Sequence, residues 1–234
     1  MTLPFFYISQ FDSSQKEVVL DEDTSKHTVQ VLRMKEGEQL NLTDGKGNLI
    51  TAEITDAHKK HCKVKVEDTR YKAQEARKVS IAISLLKNSN RFEWFLEKAT
   101  EIGVSEIIPL ICRRTEKEKF RVERMKGILI SAMLQSQQSW LPFLQEPVKF
   151  ENLVIRQFDN YQKLIAHCDE GNKSQLANQP ITQSTIILIG PEGDFTKEEV
   201  ELAIQNNFIP VSLGEIRLRS ETAGIVAATL LQNS

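Results

Sequence analysis

The chain has 234 residues, of which 40% are hydrophobic and 26% are charged, and its formal net charge is −2. This composition excludes the disordered, collagen and disulfide-scaffold classes, and the length is enough to bury the core of one large domain or two small ones. Cys62, Cys112 and Cys168 are scattered without a C-x-x-C pair, so we expect reduced thiols, and the histidines show no metal-ligand spacing, so we expect no metal. The first ten residues lack the features of a signal peptide, and no apolar run approaches the roughly 18 residues of a membrane span. We therefore expect a cytoplasmic protein that does not enter a membrane.

The first 72 residues have the pattern of a small β-barrel. Short apolar runs lie at residues 5–8, 39–42, 49–54 and 62–66, and a polar segment at 21–33 predicts one short helix. The turn Asp-Gly-Lys-Gly-Asn at residues 44–48 predicts a hairpin. Residues 68–78 are polar and lack apolar periodicity, so we divide the chain into domains 1–72 and 73–234.

Beyond residue 78, strand and helix patterns alternate. Strands are predicted at 79–86, 107–111, 163–168, 185–189 and 208–213, and helices at 90–102, 121–137, 197–206 and 222–231. Asn90 with Glu93, and Thr196 with Glu199, have the spacing of capping boxes, and Gly103 is placed to end the first helix. This alternation predicts an α/β domain with a mostly parallel sheet that is covered on both faces.

The charge is distributed unevenly along the chain. Residues 73–150 carry 13 Lys and Arg against 9 Asp and Glu, whereas residues 151–234 carry 6 against 11. A basic cluster begins at Arg113 and extends to Lys126, interleaved with glutamates. Such a cluster contacts phosphates in nucleic-acid-binding proteins, and it is equally typical of a solvated helix start.

Glycine turns follow two of the predicted strands. Gly190 and Gly193 come after the strand at 185–189, and Gly214 comes after the strand at 208–213. The carboxyl ends of parallel strands are where α/β proteins present backbone to a ligand, although a strand-end turn can also be only a tight connection. The motif is neither G-x-G-x-x-G nor a phosphate loop, which disfavours a dinucleotide or triphosphate ligand and a Rossmann-type enzyme.

Three segments in this order resemble the signature of the ribosomal RNA small-subunit methyltransferase E family. They are Ile-Gly-Pro-Glu-Gly at 189–193, Leu-Gly at 213–214 and Leu-Arg-Ser-Glu-Thr-Ala at 218–223. Upstream, His27, Lys87, Arg91 and the segment at 98–104 also fit the family pattern, so the resemblance covers nearly the whole chain.

The resemblance implies a fold, an activity and partners. The fold would be a knotted methyltransferase domain of the SPOUT class preceded by a PUA-like RNA-binding barrel. The activity would be methylation of N3 of a uridine in small-subunit ribosomal RNA, with S-adenosylmethionine as the cofactor. The partners would be that RNA or the assembled small subunit, and a second copy of the chain in a homodimer with active sites near the interface.

The resemblance also implies roles for individual residues. Cofactor-binding positions are Leu188, Ile189, Gly190, Pro191, Glu192, Gly193, Leu213, Gly214, Leu218, Ser220, Thr222 and Ala223. Glu192 either binds ribose hydroxyls or orders its loop. Arg219 and Glu221 are the expected catalytic pair: Arg219 would stabilise charge on a uracil oxygen, and Glu221 would either act as a base or orient Arg219. A helix-capping pair without a catalytic role is the alternative.

Contacts with RNA are expected from five basic residues, namely Arg33, Arg91, Lys98, Arg113 and Arg114. For each of them a surface salt bridge is the alternative. The chain also departs from the family in three places: Asp194 stands where a second glycine is usual, Gln138 stands where an arginine is usual, and Glu-Ile-Arg at 215–217 differs from the common Pro-Arg-Ile. Because Asp tolerates unusual backbone angles better than most residues, we expect the turn at Asp194 to persist.

A function of another class is a non-catalytic RNA-binding or ribosome-assembly factor with a vestigial cofactor pocket. Such a binder does not need two glycine turns that converge on a polar helix start, so the sequence favours the enzyme.

Overall fold

The computed structural model describes residues 3–168 and 173–234, and these fall into two compact units. The first unit contains residues 1–74 together with 133–141, and the second contains residues 75–132 and 142–234. The grouping of residues 133–141 with the first unit had no signal in the sequence, and the division at residue 72 stays a prediction.

The first unit is built on a five-stranded sheet. Its elements are β1 (Phe5–Tyr7), β2 (Glu17–Val19), α1 (Glu22–Lys26), a π-helical turn (His27–Val31), β3 (Gln39–Thr43), β4 (Asn48–Asp56) and β5 (Lys63–Tyr71). The strand order is β1-β3-β4-β5-β2, with β1 parallel to β3 and the other pairs antiparallel. Alternating apolar residues of β3 and β4, such as Leu40, Leu42 and Ile50, fill a core of their own.

The predicted hairpin between β3 and β4 is confirmed, and a segment distant in sequence closes over it. Asp44 accepts a hydrogen bond from the Lys46 amide at 2.9 Å, which is the local contact that favours Asp in turns. Trp140 pairs with Lys46 across an antiparallel bridge and donates its indole N–H to the Lys72 carbonyl at 2.8 Å. A Cβ at Gly47 would lie 2.7 Å from the Trp140 ring, and Gly47 has a φ of 96°, so only glycine fits there.

The second unit alternates strands and helices. Its elements are β6 (Val79–Ser84), α2 (Ser89–Ile102), β7 (Glu106–Ile111), α3 (Val122–Gln135, whose last residues belong to the first unit), β8 (Phe143–Leu144), β9 (Val148–Lys149), α4 (Phe150–Val154), β10 (Tyr161–Ala166), β11 (Ser174–Gln175), a 3₁₀ turn (Leu176–Asn178), β12 (Ser184–Ile189), α5 (Lys197–Gln205), β13 (Ile209–Ser212) and α6 (Ser220–Gln232). The strand order is β11-β13-β10-β12-β6-β7-β8, with β9 also on β7, and all the strand pairs within the described residues are parallel.

Helices cover both faces of this sheet, as the alternation predicts. On one face, α4 and α5 pack on side chains such as Ile108, Ile186 and Leu188. On the other face, α6 packs against α2, β6 and β12, although β13, which precedes it, lies beyond β10. The chain therefore returns across the sheet after β13, and a return crossing of this kind is what the expected knotted class requires.

The predicted helix signals hold with one exception. Gly103 ends α2 with a φ of 93°, and Thr196 with Glu199 forms the capping box of α5. The predicted cap at Asn90 is wrong: the cap is Asn88, two residues earlier, whose side chain accepts a hydrogen bond from the Asn90 amide at 3.0 Å. Glu93 does not complete a capping box and instead receives two hydrogen bonds from Arg124 on α3.

Candidate active site

The carboxyl ends of β10, β12 and β13 surround one cavity of about 880 Å³. These three strands are neighbours in the sheet, so the loops that follow them leave the same edge side by side. The cavity is lined by residues 189–194 after β12, by residues 211–220 around the end of β13, and by residues 166–168 with Lys173 after β10. Arg91, Arg114 and Ala223 complete the lining.

The loop after β12 is a tight turn that leaves little space beside its glycines, with backbone near Gly190 and the exposed Arg114 side chain near Gly193. A Cβ at Gly190 would lie 3.1 Å from the Phe195 backbone nitrogen, and a Cβ at Gly193 would lie 3.2 Å from Cδ of Arg114. The Asp194 amide donates to the Pro191 carbonyl at 2.9 Å, and Asp194 has a φ of 63°. The turn expected at Asp194 therefore persists in spite of the departure from glycine, since Asp is among the residues that tolerate this conformation.

The same loop is hydrogen-bonded to the loops that follow three other strands. Glu192 Oε1 accepts from the Lys87 amide, after β6, at 3.0 Å. Arg114, after β7, donates Nη1 to the carbonyl oxygens of Gly193 and Phe195. Asp194 Oδ2 accepts from the Cys168 amide, after β10, at 2.7 Å. Residues 190–194 are thus fixed from three sides by groups that belong to other parts of the sheet edge.

The loop after β7 is itself held by a buried carboxylate. Glu199 is 2% exposed and accepts from the Thr196 amide at 2.8 Å and from the Arg113 amide at 2.9 Å. Thr115 receives a hydrogen bond from the Cys112 amide and shares another with Ser84 at 2.9 Å. Because the amides of Cys112 and Arg113 both have hydrogen-bond acceptors, the backbone next to Arg114 is held in one conformation.

The loop after β13 is more open. Gly214 has a φ of 132°, with no atom near an added Cβ, so its backbone angle rather than crowding is what favours glycine. Ser212 exchanges two hydrogen bonds with Gly214, which are contacts within the loop itself. Residues 214–217 are all exposed, and Ile216 retains 81% of its accessible surface.

The two expected catalytic residues lie at the start of α6 in different environments, and Glu221 is outside the cavity lining. Arg219 is exposed, precedes the first turn of α6 and lines the cavity. Glu221 is 6% exposed, its Oε1 lies 3.6 Å from Nε of Arg91, and its Oε2 has no hydrogen-bond partner among the described residues. The first turn of a helix stabilises a carboxylate, and the guanidinium of Arg91 adds a second positive group beside it.

Cations outnumber carboxylates around the cavity. Arg91, Arg114, Lys173, Arg217 and Arg219 line it, against Glu192, Asp194 and Glu215. Such a rim favours a ligand or substrate with negative charge. Cys168, at the edge of the cavity, has its pKa raised first by burial and then by the charge and hydrogen bond of Asp194.

The structure brings most of the predicted cofactor-binding residues to this one cavity. Ten of those twelve line it, whereas Leu188 is fully buried in the core and Thr222 is half-buried on α6 outside the lining. Of the residues expected to contact RNA, Arg91 and Arg114 line the cavity. Their side chains contact Glu221 and the Gly193 loop, respectively.

The other residues expected to contact RNA lie outside the cavity lining. Lys98 pairs with Glu97 and Glu101 on α2, and Arg113 lies 3.6 Å from Glu198. Arg33 is exposed in the first unit with a φ of 58°, and Gln138, in the same unit, donates to Ser136. The surface-salt-bridge alternative therefore describes the present contacts of Lys98 and Arg113.

The segment after β10 is the part of the site that the sequence reasoning missed. Ala166, His167 and Cys168 line the cavity, and so does Lys173, which donates to the His167 carbonyl at 2.7 Å. The strand itself was predicted, but no glycine directly follows it. The end of β10 lies in the site because β10 is between β12 and β13 in the sheet. This strand order cannot be read from the sequence.

The all-parallel α/β fold and the strand-end cavity define the class of the second unit, and a family model described as an RNA methyltransferase domain matches residues 73–232. A model described as an RNA methyltransferase PUA domain matches residues 20–67. The chain belongs to the ribosomal RNA small subunit methyltransferase E family. The family and the fold class that the sequence indicated are thereby confirmed, and the chain is an enzyme of the methyltransferase class.

Three comparisons illustrate the match. The ribosomal RNA small subunit methyltransferase E of Mesomycoplasma hyopneumoniae is 32% identical over 169 residues, which cover 70% of this chain and 73% of that protein. A probable rRNA-methyltransferase from Porphyromonas gingivalis superposes with a TM-score of 0.91 at 39% identity, over 99% of both chains. The Neisseria gonorrhoeae ribosomal RNA small subunit methyltransferase E bound to S-adenosyl methionine superposes with a TM-score of 0.89 at 27% identity, over 99% of this chain and 97% of that one.

Within residues 3–168 and 173–234, no helix is long and apolar enough to cross a membrane.

Proposed function

We propose that this protein methylates N3 of a uridine in small-subunit ribosomal RNA and uses S-adenosylmethionine as the cofactor. The observation that carries the proposal is the convergence of the 190–194 loop, the 213–218 loop and the start of α6 on one cavity, in a chain of the methyltransferase E family.

The residues around the cavity fit the cofactor. The cavity of about 880 Å³ is within the usual size of a small-molecule site. The turns at Gly190, Gly193 and Gly214 expose main-chain groups that can read an adenine ring, and Leu213 and Leu218 add apolar surface. Glu192 already accepts a hydrogen bond from the Lys87 amide, which favours the loop-ordering role over ribose binding. When bound, the cofactor supplies a methyl group on a sulfonium centre.

Arg219 is the residue that we assign to the target base. The N3 position of uracil carries a proton at neutral pH, and removal of that proton leaves negative charge on the neighbouring carbonyl oxygens. The exposed guanidinium of Arg219 at the cavity rim can donate to such an oxygen and stabilise the charge. Its position before the first turn of α6 holds it on a rigid element.

Glu221 is better placed to position Arg91 than to accept the proton from N3. It is buried, and its Oε1 lies 3.6 Å from Arg91 Nε, so its negative charge draws the Arg91 guanidinium toward the cavity. An ordinary carboxylate is also a weak base for so weak an acid. We therefore assign Glu221 a supporting role at the start of α6 and leave proton removal to solvent or RNA groups.

The finer features of the proposal concern partners and location. We propose the small ribosomal subunit or its RNA as the substrate, a cytoplasmic location, and a homodimer. The α6 surface supports the homodimer, because Ile225, Val226 and Leu230 are only half-buried within one chain. Sedimentation equilibrium tests it: a monomer at micromolar concentration would contradict this part of the proposal.

Methyl transfer to defined RNA tests the function. Small subunits that lack the modification are incubated with the protein and with cofactor labelled in the methyl group, and the labelled nucleoside is then mapped. We expect label on N3 of one uridine. Label on another base would overturn the substrate assignment.

The rival function is a non-catalytic RNA-binding or assembly factor. The comparisons favour the enzyme over it, since the relatives are methyltransferases and one related structure is bound to S-adenosyl methionine. Calorimetry with S-adenosylmethionine separates the two: the enzyme binds it, whereas no heat at millimolar cofactor would favour the rival.

A further inference from the structure

Asp194 joins two walls of the cavity through its side chain. Oδ2 accepts from the Cys168 amide at 2.7 Å, and Oδ1 accepts from the Phe195 amide at 2.8 Å. The first bond crosses from the loop after β12 to the loop after β10, 26 residues earlier in the chain. Both loops line the cavity, and β10 and β12 are adjacent parallel strands with Ala166 opposite Ile189.

The two bonds need the chemistry of a carboxylate. Both partners are N–H donors, and an aspartate offers an acceptor oxygen to each of them. An asparagine would turn its NH₂ group toward one of the two donors, and a glycine would keep the turn but leave both amides without this acceptor. The residue that departs from the family glycine therefore does something that glycine cannot do.

We propose that Asp194 is a positioning residue of the cofactor site, which holds the segment 166–168 against the glycine loop and so sets the width of the cavity at this edge. This inference rests on the proposed function, because it takes S-adenosylmethionine as the ligand. Asp194 acts through the backbone of its neighbours, so its removal weakens cofactor binding more than it slows methyl transfer at saturating cofactor.

Cys168 reports on this contact directly. Cys62 and Cys112 are buried and Cys168 is exposed, so an aromatic disulfide reagent reacts selectively with the Cys168 thiol in the folded protein. Burial, followed by the charge and hydrogen bond of Asp194, raises the pKa of this thiol, while Arg217 and Lys173 oppose the shift. Loss of the Asp194 charge therefore lowers the pKa and speeds the reaction at a given pH, an effect that a purely structural role of the side chain does not require.

The test uses the full chain and the variants Asp194→Asn and Asp194→Gly. By calorimetry we expect cofactor binding to weaken about fivefold in the first and about tenfold in the second, with kcat at saturating cofactor within about twofold. We expect the reaction of Cys168 in Asp194→Asn to be at least about twofold faster than in the wild type at pH 8. Asp159→Asn is the matched control, since Asp159 is exposed near the amino end of β10, away from the cavity lining, and should change neither measurement.

The outcomes distinguish this inference from the proposed function. If the wild type does not bind S-adenosylmethionine in the calorimeter, the proposed function fails. If the wild type binds it and both Asp194 variants bind equally well with an unchanged thiol rate, the role of Asp194 is overturned. Weaker binding accompanied by reaction of the buried thiols as well would assign Asp194 a role in folding and also overturn the proposal.

Discussion

The two glycine turns that face each other across the cavity are held in different ways. The loop at 190–194 makes hydrogen bonds to groups after β6, β7 and β10, and its glycines have close neighbours. The loop at 213–218 has hydrogen bonds between its own residues at Ser212 and Gly214, and residues 214–217 are exposed. Residues 190–194 therefore form a fixed wall of the cavity, which is ordered before any ligand binds. Residues 213–218 form an open wall, which can change shape.

This difference matches two requirements of a methyltransferase. A small cofactor is bound most tightly by a surface that does not have to be ordered on binding, which the fixed wall provides. A large RNA substrate approaches from outside and needs a surface that can change shape, which the open wall provides. Changes to the fixed wall should therefore alter cofactor affinity, whereas changes to the exposed tip of the open wall and to Arg219, which follows it, should leave that affinity nearly unchanged.

The largest effect is expected from Arg219, which follows the open wall at the start of α6. In Arg219→Ala, kcat should fall about 100-fold, because a donor to the developing charge on uracil is lost. Cofactor affinity should change less than about threefold, as measured by calorimetry beside steady-state kinetics. Arg219→Lys should recover part of the rate, and Arg156→Ala, an exposed arginine outside the cavity lining, is the control. Equal losses of rate and affinity would contradict the division between the walls.

The second effect concerns the helix that anchors the end of the open wall. A Cβ at Gly224 would lie 2.6 Å from the Phe95 ring and 3.1 Å from Ile83, whereas a Cβ at Gly127 on α3 would meet no atom. Gly224→Ala should lower the free energy of unfolding by about 1–3 kcal/mol through overpacking. Gly127→Ala should raise it by about 0.5–1 kcal/mol, since alanine is the better helix former. Urea unfolding measures both, and equal values would show that α6 is not seated as closely as the structure has it.

A smaller effect is expected from Arg114 on the fixed wall. Arg114→Ala removes the donor to the carbonyls of Gly193 and Phe195, and we expect cofactor binding about fivefold weaker because the side chain is exposed and its bonds are partly screened. The rate at saturating cofactor should stay within about twofold. Calorimetry and initial rates check this, and a loss of rate without a loss of affinity would point instead to an RNA contact of Arg114.

The smallest effect is expected at the tip of the open wall. Ile216→Ser changes a side chain that is 81% exposed, and cofactor affinity should stay within about twofold of the wild type. A larger loss in the same calorimetric titration would mean that the tip folds over the cofactor, and that the tip is part of the cofactor-binding surface.

The parts of this structure that the sequence predicted depend on local signals. Gly103 ends α2 because of its own backbone freedom, and Thr196 caps α5 through a residue three positions away. Four strands were missed, namely β2, β8, β9 and β11, because each has only two or three residues. Such a short strand is defined by its hydrogen bonds to a neighbouring strand, which leave no pattern in its own sequence. At Asn90 a local signal misled, since Asn88 offered a competing cap two residues earlier.

The same reasoning explains which parts of the site were found. The glycine turns could be located because glycine favours turns and these glycines follow recognisable strands. The contacts that fix the 190–194 loop could not, because Glu192 bonds a residue 105 positions away and Arg114 bonds one 79 positions away. Nothing in the neighbourhood of Arg114 distinguishes an arginine that holds a loop from one that contacts RNA.

These long sequence separations have a consequence for biosynthesis. Lys87, after β6, is synthesised well before Glu192, its hydrogen-bond partner, which follows 105 residues later. Helix α6 follows later still. The cofactor site therefore cannot form on a nascent chain before residues 213–223 have been added, and a newly made molecule becomes competent for catalysis only after that point.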